Sequence, residues 1–267
     1  MAPHQVADIP LLCDDVPPAR DWAFIVGAGR AGTTALVKLI NAHPDARMLN
    51  EAWLWGYVRI LTSARHDHGG PDPDDIRNER LLPEHGPDAG AGPCWRASQV
   101  RTILEGVRAA VAPGAALFGD KKWGYRRHLA EVQAVFPDCR LLAAVRDVWD
   151  ITASLCDCGW FRAFGRQSFT PEELAAAAYE VAHAALRDVA SLPPGSVHTV
   201  SFEEMATAPE PAVRRLLPWL DLDEARFDWS VLESVHYAQS VGHWERVPAV
   251  AALRAAHDAG ARSAAER

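Results

Sequence analysis

Phe24-Ile-Val-Gly27-Ala28-Gly29-Arg30-Ala31-Gly32-Thr33-Thr34-Ala-Leu36 is the stretch around which the chain is organised. An apolar run from Trp22 to Val26 gives way to Gly27, Gly29 and Gly32, then to Thr33-Thr34 and an apolar-periodic segment through Ile40. The pattern predicts a strand, a tight turn and a helix N-terminus, with Asn41-Ala-His43-Pro44 closing the helix. Glycines let the backbone turn inward. The unpaired N–H groups at the helix start, with the positive end of its dipole, then attract an anion. A phosphate or a similar anion is expected here.

Two general readings of the loop compete. Gly27-x4-Gly32 followed by Thr33-Thr34 is a P-loop with threonine in place of the phosphate-binding lysine, as a nucleotide or small-molecule kinase would not have it. Without that lysine the β- and γ-phosphates lose their main counter-charge. The same glycines spell G-x-G-x-x-G, with Glu51 roughly 20 residues downstream, the pattern of a Rossmann dinucleotide site. That reading needs a second strand over Ala46-Arg-Met-Leu-Asn50, which is short and poor in β-branched residues. It also calls for a hydride-transfer dyad, and the chain contains no Tyr-x-x-x-Lys.

A third reading uses residues the other two ignore. Gly29-Arg30-Ala31-Gly32-Thr33-Thr34, followed by Asn41-Ala-His43-Pro44-Asp45, resembles the 5′-phosphosulfate loop of sulfotransferases. Those enzymes use 3′-phosphoadenosine 5′-phosphosulfate (PAPS). The arginine at position 30 looks like the tyrosylprotein and bacterial branches, since the cytosolic small-molecule enzymes usually carry lysine there. Val145-Arg146-Asp147-Val-Trp-Asp150-Ile-Thr-Ala-Ser154 resembles the family's strand-end arginine and the serine that follow each other onto a helix and grip the 3′-phosphate. The family's usual Arg-Asp-Pro-Arg-Asp is here Arg-Asp-Val-Trp-Asp. A guanidinium fork suits a phosphate bidentately. Taken alone, an Arg146 paired with Asp147 or Asp150 explains this segment better.

Three weaker matches follow in family order. Phe118-Gly-Asp120-Lys121 is similar to the strand-end lysine, although Lys122-Trp123 replaces the usual proline. Val200-Ser-Phe202-Glu203-Glu204 resembles a tyrosine-glutamate-aspartate strand end. Gln239-Ser240-Val-Gly242-His-Trp244 resembles the stretch that closes over the nucleotide.

The resemblance implies a P-loop-like α/β fold, a three-layer sandwich with a mainly parallel sheet and helices on both faces. It implies PAPS as donor, 3′-phosphoadenosine 5′-phosphate (PAP) as product, no required metal, and a small-molecule acceptor attacking in line. Gly29, Arg30, Ala31, Gly32, Thr33 and Thr34 would hold the 5′-phosphate, and Arg146, Ser154, Phe202, Ser240 and Trp244 the rest of the nucleotide. Arg30 and Lys121 would neutralise the transferring group. Glu51, seven residues beyond Pro44, stands where the tyrosylprotein branch places its catalytic base. An acid stabilising a helix start accounts for Glu51 equally well, and His66, His68 and His85 are rival bases, because the cytosolic branch uses histidine. A non-catalytic anion-binding module remains open if Glu51 and Lys121 lie far from the loop.

Composition limits the alternatives. A chain of 267 residues, 49% apolar and 23% charged, suits a soluble enzyme of one domain spanning 1–267. A formal net charge of −8 argues against a nucleic-acid partner. Lysines are scarce (Lys38, Lys121 and Lys122), which draws attention to the adjacent pair. The five cysteines show no C-x-x-C spacing. No stretch has transmembrane length or the form of an export signal, so the cytoplasm is expected.

The remaining segments alternate as an α/β chain should. Residues 1–20 read as an irregular lead-in and Glu51 to Leu61 as an aromatic helix. Residues 64–96, rich in Gly, Pro, Asp and His, read as a lid or substrate loop. Helices are expected over Ser98–Val111, Tyr125–Phe136, Thr170–Leu192 and Pro209–Leu222, and beyond Pro248. Strands are expected over 115–121, Arg140–Arg146 and Val197–Phe202. Trp53, Trp55, Tyr57, Trp95, Trp160 and Phe161 are candidates for an aromatic acceptor cleft, or for core. The acceptor and the oligomeric state are not legible.

Overall fold

The computed structural model describes residues 11–12, 14–52, 54, 95–159, 169–192, 195–234 and 237–265. Its centre is a five-stranded parallel sheet of β2 (Trp22–Gly27), β3 (Ala46–Asn50), β5 (Leu117–Lys121), β6 (Arg140–Val145) and β7 (His198–Ser201). The spatial order is β3-β5-β2-β6-β7. A separate pair, β1 (Leu11–Leu12) and β4 (Trp95–Arg96), also runs parallel, so the lead-in is less irregular than expected.

The helices are α1 (Thr33–Ile40), α2 (Ala97–Val111), α3 (Leu129–Val135), α4 (Val148–Asp157), α5 (Pro171–Ala190), α6 (Phe202–Thr207), α7 (Pro209–Trp219) and α8 (Pro248–Ala265). They cover both faces of the sheet, and β2 shows how. Successive side chains of a strand point to opposite faces. Trp22, Phe24 and Val26 pack with Val100 and Leu104 of α2 and Val132 of α3. Ala23 and Ile25 pack instead with Leu36 and Ile40 of α1, Ala182 of α5 and Leu216 of α7. Every residue of β2 is buried, as expected for a central parallel strand. Close approach to β5 needs Gly119, where a Cβ would lie 1.8 Å from the Ala23 carbonyl oxygen.

The sheet order separates the competing readings of the loop. A dinucleotide-binding fold sets its second strand beside the first. Here β5 lies between β2 and β3, and Glu51 follows an edge strand two places from the loop. Chain order also splits at β2, with β3 and β5 on one side and β6 and β7 on the other. Open α/β sheets bind ligands at such a switch point, outside the carboxyl ends of the strands.

Several local expectations need correction. Ala46–Asn50 is a strand despite its poor propensity, because pairing with β5 supplies its ladder and Met48 its core anchor. The helix expected over Tyr125–Phe136 is a 3-10 turn (Trp123–Arg127) followed by the short α3. The strand expected to reach Phe202 stops at Ser201, whose Oγ accepts the Glu204 amide at 3.3 Å and starts α6. The α7 helix ends at Trp219, short of Leu222. By contrast, Thr170 and Glu173 form the expected reciprocal cap of α5, at 2.9 and 3.2 Å. The tail forms α8. Most of the 64–96 loop, the helix expected after Glu51 beyond Leu54, and Trp53, Trp55, Tyr57, His66, His68, His85, Trp160 and Phe161 lie outside the described residues.

Candidate active site

The glycine loop leaves β2 at the switch point. Gly27 has φ +146° and a Cβ there would sit 2.7 Å from the Ala144 carbonyl oxygen. Gly32 has φ +90° and a Cβ there would press on Phe202 Cδ2 at 2.3 Å. These two glycines are demanded by the protein itself. Gly29 is different, since a Cβ there would meet no atom of the described residues within 4 Å. The Ala31 amide bonds the Ala28 carbonyl at 3.2 Å. Among the described residues, the amides of Gly29, Arg30 and Gly32 donate to no backbone carbonyl. Gly32 also caps α1 without a side chain, leaving the first N–H groups of the helix, at Thr33 and Thr34, without intrahelical partners. Arg30 has φ +69°.

Arg146 stands just past β6, with its side chain 5% exposed. One terminal nitrogen donates to the Arg30 carbonyl at 3.0 Å and the other to the Ser240 carbonyl. The guanidinium lies over the Phe202 ring, 4.2 Å from its centroid. Its Nε is buried and, among the described residues, has no hydrogen-bond partner. Burial, and secondarily the nearby Arg30 charge, lowers its pKa, while Asp150, Glu203 and Asp147 oppose the shift. Ser154 is brought into the same corner by α4, and Arg30 Nε donates to its Oγ at 2.9 Å. The α4 helix starts here because Asp147 accepts the Trp149 and Asp150 amides at 2.9 and 3.0 Å.

Asp150 lies 3.9 Å from Arg146, so the simple ion pair expected for this segment also exists. Its closer bonds are to the Gly242 and Trp244 amides, at 2.9 and 3.1 Å. They tie the 238–246 segment to α4. The Trp244 ring faces Arg254 of α8, 3.9 Å from the guanidinium carbon, rather than Arg146. Phe202 is buried between Gly32 and Arg146, where it supports the loop.

Glu51 and Lys121 meet although they are 70 residues apart in sequence. The register pairs Asn50 with Lys121, the Glu51 amide bonds the Lys121 carbonyl at 2.8 Å, and Lys121 Nζ donates to Glu51 Oε1 at 2.8 Å. Lys121 is 4% exposed and the Glu51 side chain 47%, so the pair has a buried cation and an accessible carboxylate. Glu51 has φ +58°. Glu51 itself forms a bend after β3, three residues before the helical Leu54.

Gly29, Arg30, Thr33, Thr34, Glu51 and Lys121 line one cavity of about 770 Å³. Its far wall is formed by Ala182 and Ala185 of α5 and Leu155 and Cys158, with Arg126 and Glu180 as further charges. Arg146 and Ser154 adjoin it through the Arg30 carbonyl and Nε, and Ser240 follows through Arg146. The separation that would have left a mere anion-binding loop is therefore absent. Sequence reasoning missed Arg126, Glu180 and Asp120. For Asp120 a signal existed, because an acid inside the apolar run before Lys121 must be buried with partners. Among the described residues no group of three His, Cys, Asp or Glu side chains could hold a metal ion, and no helix is long and apolar enough to cross a membrane.

No curated protein sequence matches the chain, but solved structures share its fold. The sulfotransferase domain of the Synechococcus PCC 7002 olefin synthase is 16% identical over 88% of this chain and 91% of its own, with a TM-score of 0.53. A sulfotransferase from Alicyclobacillus acidocaldarius is 18% identical over 87% of this chain and 96% of its own, with a TM-score of 0.52. The sulfotransferase domain from the curacin biosynthetic pathway is 17% identical over 79% of this chain and 76% of its own, with a TM-score of 0.51. At such identities the likeness is one of fold. The model of the sulfotransferase family matches residues 23–226, from the strand before the glycine loop to the turn after α7, and the chain belongs to that family.

Proposed function

We propose that this sulfotransferase moves the sulfuryl group of PAPS to a hydroxyl of a small-molecule acceptor by in-line transfer. The observation that carries the reading is the convergence of the glycine loop, Arg30, Lys121 and Glu51 on a single cavity. The residues suit the donor. Gly29 leaves open space beside amides that have no backbone acceptor, and Arg146 offers a buried N–H without a partner. PAPS supplies the activated sulfuryl group and the bisphosphate handle by which it is held.

The roles divide by position. The free amides at Gly29, Arg30 and Gly32, with the start of α1 and its threonine hydroxyls, hold the 5′-phosphate. Arg146 and Ser154 hold the 3′-phosphate, with Phe202 behind the guanidinium and the Ser240–Trp244 segment over it. Arg30 and Lys121 stabilise the charge that develops on the transferring and leaving oxygens. Glu51 accepts the acceptor's proton. For that, Lys121 must turn its ammonium from the carboxylate to the leaving oxygen, which couples donor binding to release of the base. A sulfuryl group carries less negative charge than a phosphoryl group, so fixed cations and N–H dipoles suffice for a loose transition state and no metal is needed. A kinase would lack its P-loop lysine here.

Melting of the protein with PAP in the presence of a chelator tests the donor. A rise in melting temperature that Arg146→Ala abolishes supports the reading, and labelled PAPS then identifies acceptors. Stabilisation by Mg·ATP or NADH but not by PAP would overturn it.

A further inference from the structure

Directly behind the Glu51–Lys121 pair lies a carboxylate that the proposed reaction does not use. Asp120 is fully buried. Its Oδ1 accepts the Lys121 amide at 2.8 Å and the Ala52 amide at 3.2 Å. Its Oδ2 accepts the Tyr125 hydroxyl at 2.7 Å and the Leu54 amide at 3.3 Å. One oxygen thus binds the backbone on both sides of the pair. Tyr125, itself 1% exposed and packed edge-on against Phe24, fixes the other.

Glu51 needs such support. Its φ of +58° places a non-glycine residue in the left-handed region, which an L-residue leaves unless its surroundings hold it. The chain enters Glu51 from β3, where the ladder with β5 fixes it. It leaves through Ala52 and Leu54, whose amides end on Asp120. We infer that Asp120 is a positioning residue, which clamps the chain beyond Glu51 so that the Glu51 carboxylate faces Lys121 in the cavity. The inference rests on the reading of Glu51 and Lys121 as the reacting pair.

An acceptor-only group is what this position requires. All four neighbours donate, and an ionised carboxylate satisfies them all, whereas asparagine would turn an NH₂ towards Tyr125 and Leu54. Burial raises the Asp120 pKa, and the hydrogen bonds from Tyr125, Ala52, Leu54 and Lys121 oppose the rise.

The experiment compares wild type with Asp120→Asn, Tyr125→Phe, Glu51→Gln and the double variant Glu51→Gln with Asp120→Asn. PAP-dependent melting reports the fold and the nucleotide end. Hydrogen exchange of the 49–54 segment reports the clamp without need of activity. Turnover of labelled PAPS, read as sulfate released to water when no acceptor is added, reports the chemistry. Asp120→Asn is expected to keep PAP stabilisation and the KM for PAPS while kcat falls about 100-fold, the cost of a base displaced by about 1 Å. Exchange in the 49–54 segment rises about tenfold or more. The double variant is no slower than Glu51→Gln alone, since both remove the same function. Should Asp120→Asn fail to fold, Tyr125→Phe removes one hydrogen bond and is expected to lower kcat about fivefold with PAP binding unchanged.

Unchanged exchange in a folded Asp120→Asn, unchanged kcat in either variant, or losses that multiply with Glu51→Gln would overturn the positioning role. A wild-type protein that neither binds PAP nor turns over PAPS would overturn the sulfotransfer reading instead, leaving the exchange result to judge the clamp.

Discussion

Arg30 Nε donates to Ser154 Oγ at 2.9 Å, joining the tip of the glycine loop to the second turn of α4. The same Arg30 lends its carbonyl to Arg146 at 3.0 Å. Loop and strand-end arginine therefore form one unit, through which the two phosphate-binding regions of the proposed donor site are coupled. Ser154→Ala is expected to weaken PAP binding about five- to tenfold, the worth of one hydrogen bond. Arg30→Ala weakens it more, and the double variant falls short of the product of the two, as coupled neighbours do. Calorimetric titration with PAP measures all three. Full additivity would mean that the tie contributes nothing to binding.

The loop glycines should divide into two kinds when replaced by alanine. Gly32 combines a positive φ with a Cβ position 2.3 Å from Phe202, so Gly32→Ala is expected to cost about 2–4 kcal/mol of stability. Gly29 has open space instead. Gly29→Ala should melt within a few degrees of wild type and yet lose PAP binding, because the added methyl occupies the approach of the phosphate. Denaturant unfolding together with PAP titration separates the two effects. A Gly29→Ala protein that binds PAP normally would place the phosphate elsewhere.

What was legible in the sequence was mostly local chemistry. Gly27 to Thr34 announced a turn and a helix start, Thr170 and Glu173 a capping box, and the run Arg140–Arg146 a central strand. Each rests on interactions within a few residues. Ala46–Asn50 was illegible for the opposite reason, since its strand character comes from pairing with β5, far away in sequence. Phe202 shows the same limit. Its place in a family pattern was visible, but its burial between Gly32 and Arg146 depends on the packing of three separate elements. The meeting of Glu51 with Lys121 needed the register of an edge strand, which no periodicity specifies. The wall formed by α5 and the charges at Arg126 and Glu180 likewise follow from tertiary packing.

His198 provides a pH test of the sheet edge. It sits on β7, stacked on Trp219 at 4.6 Å between centroids. Burial, and then the Arg215 charge, lowers its pKa below the ordinary histidine value of 6.5. Between the folded pKa and 6.5 the unfolded chain therefore binds more protons than the native one, and stability rises with pH. Acidification through that window should lower the melting temperature, and His198→Phe should flatten this part of the profile. Melting curves from about pH 7.5 to about pH 5.5 measure it. An unchanged slope in the variant would assign the pH dependence to other groups.

The cysteines offer a chemical check on the cavity wall. Burial pushes the Cys139 thiol up to about 12 and the Cys156 thiol up to about 11. The thiolate is the nucleophile, so at about pH 8 only about one in a thousand or fewer of either would be thiolate. Cys158 is exposed and lines the cavity with Leu155. Of these three, Cys158 should react first with iodoacetamide, as read by peptide mass mapping. Modification there adds bulk beside the α5 wall of the cavity that Lys121 also lines. It is therefore expected to slow PAPS turnover in wild type while sparing Cys158→Ser. Labelling of Cys139 or Cys156 at the rate of Cys158 would show that α4 and the strand before it open far more readily than their packing implies. Inactivation that persists in Cys158→Ser would trace the effect to another thiol.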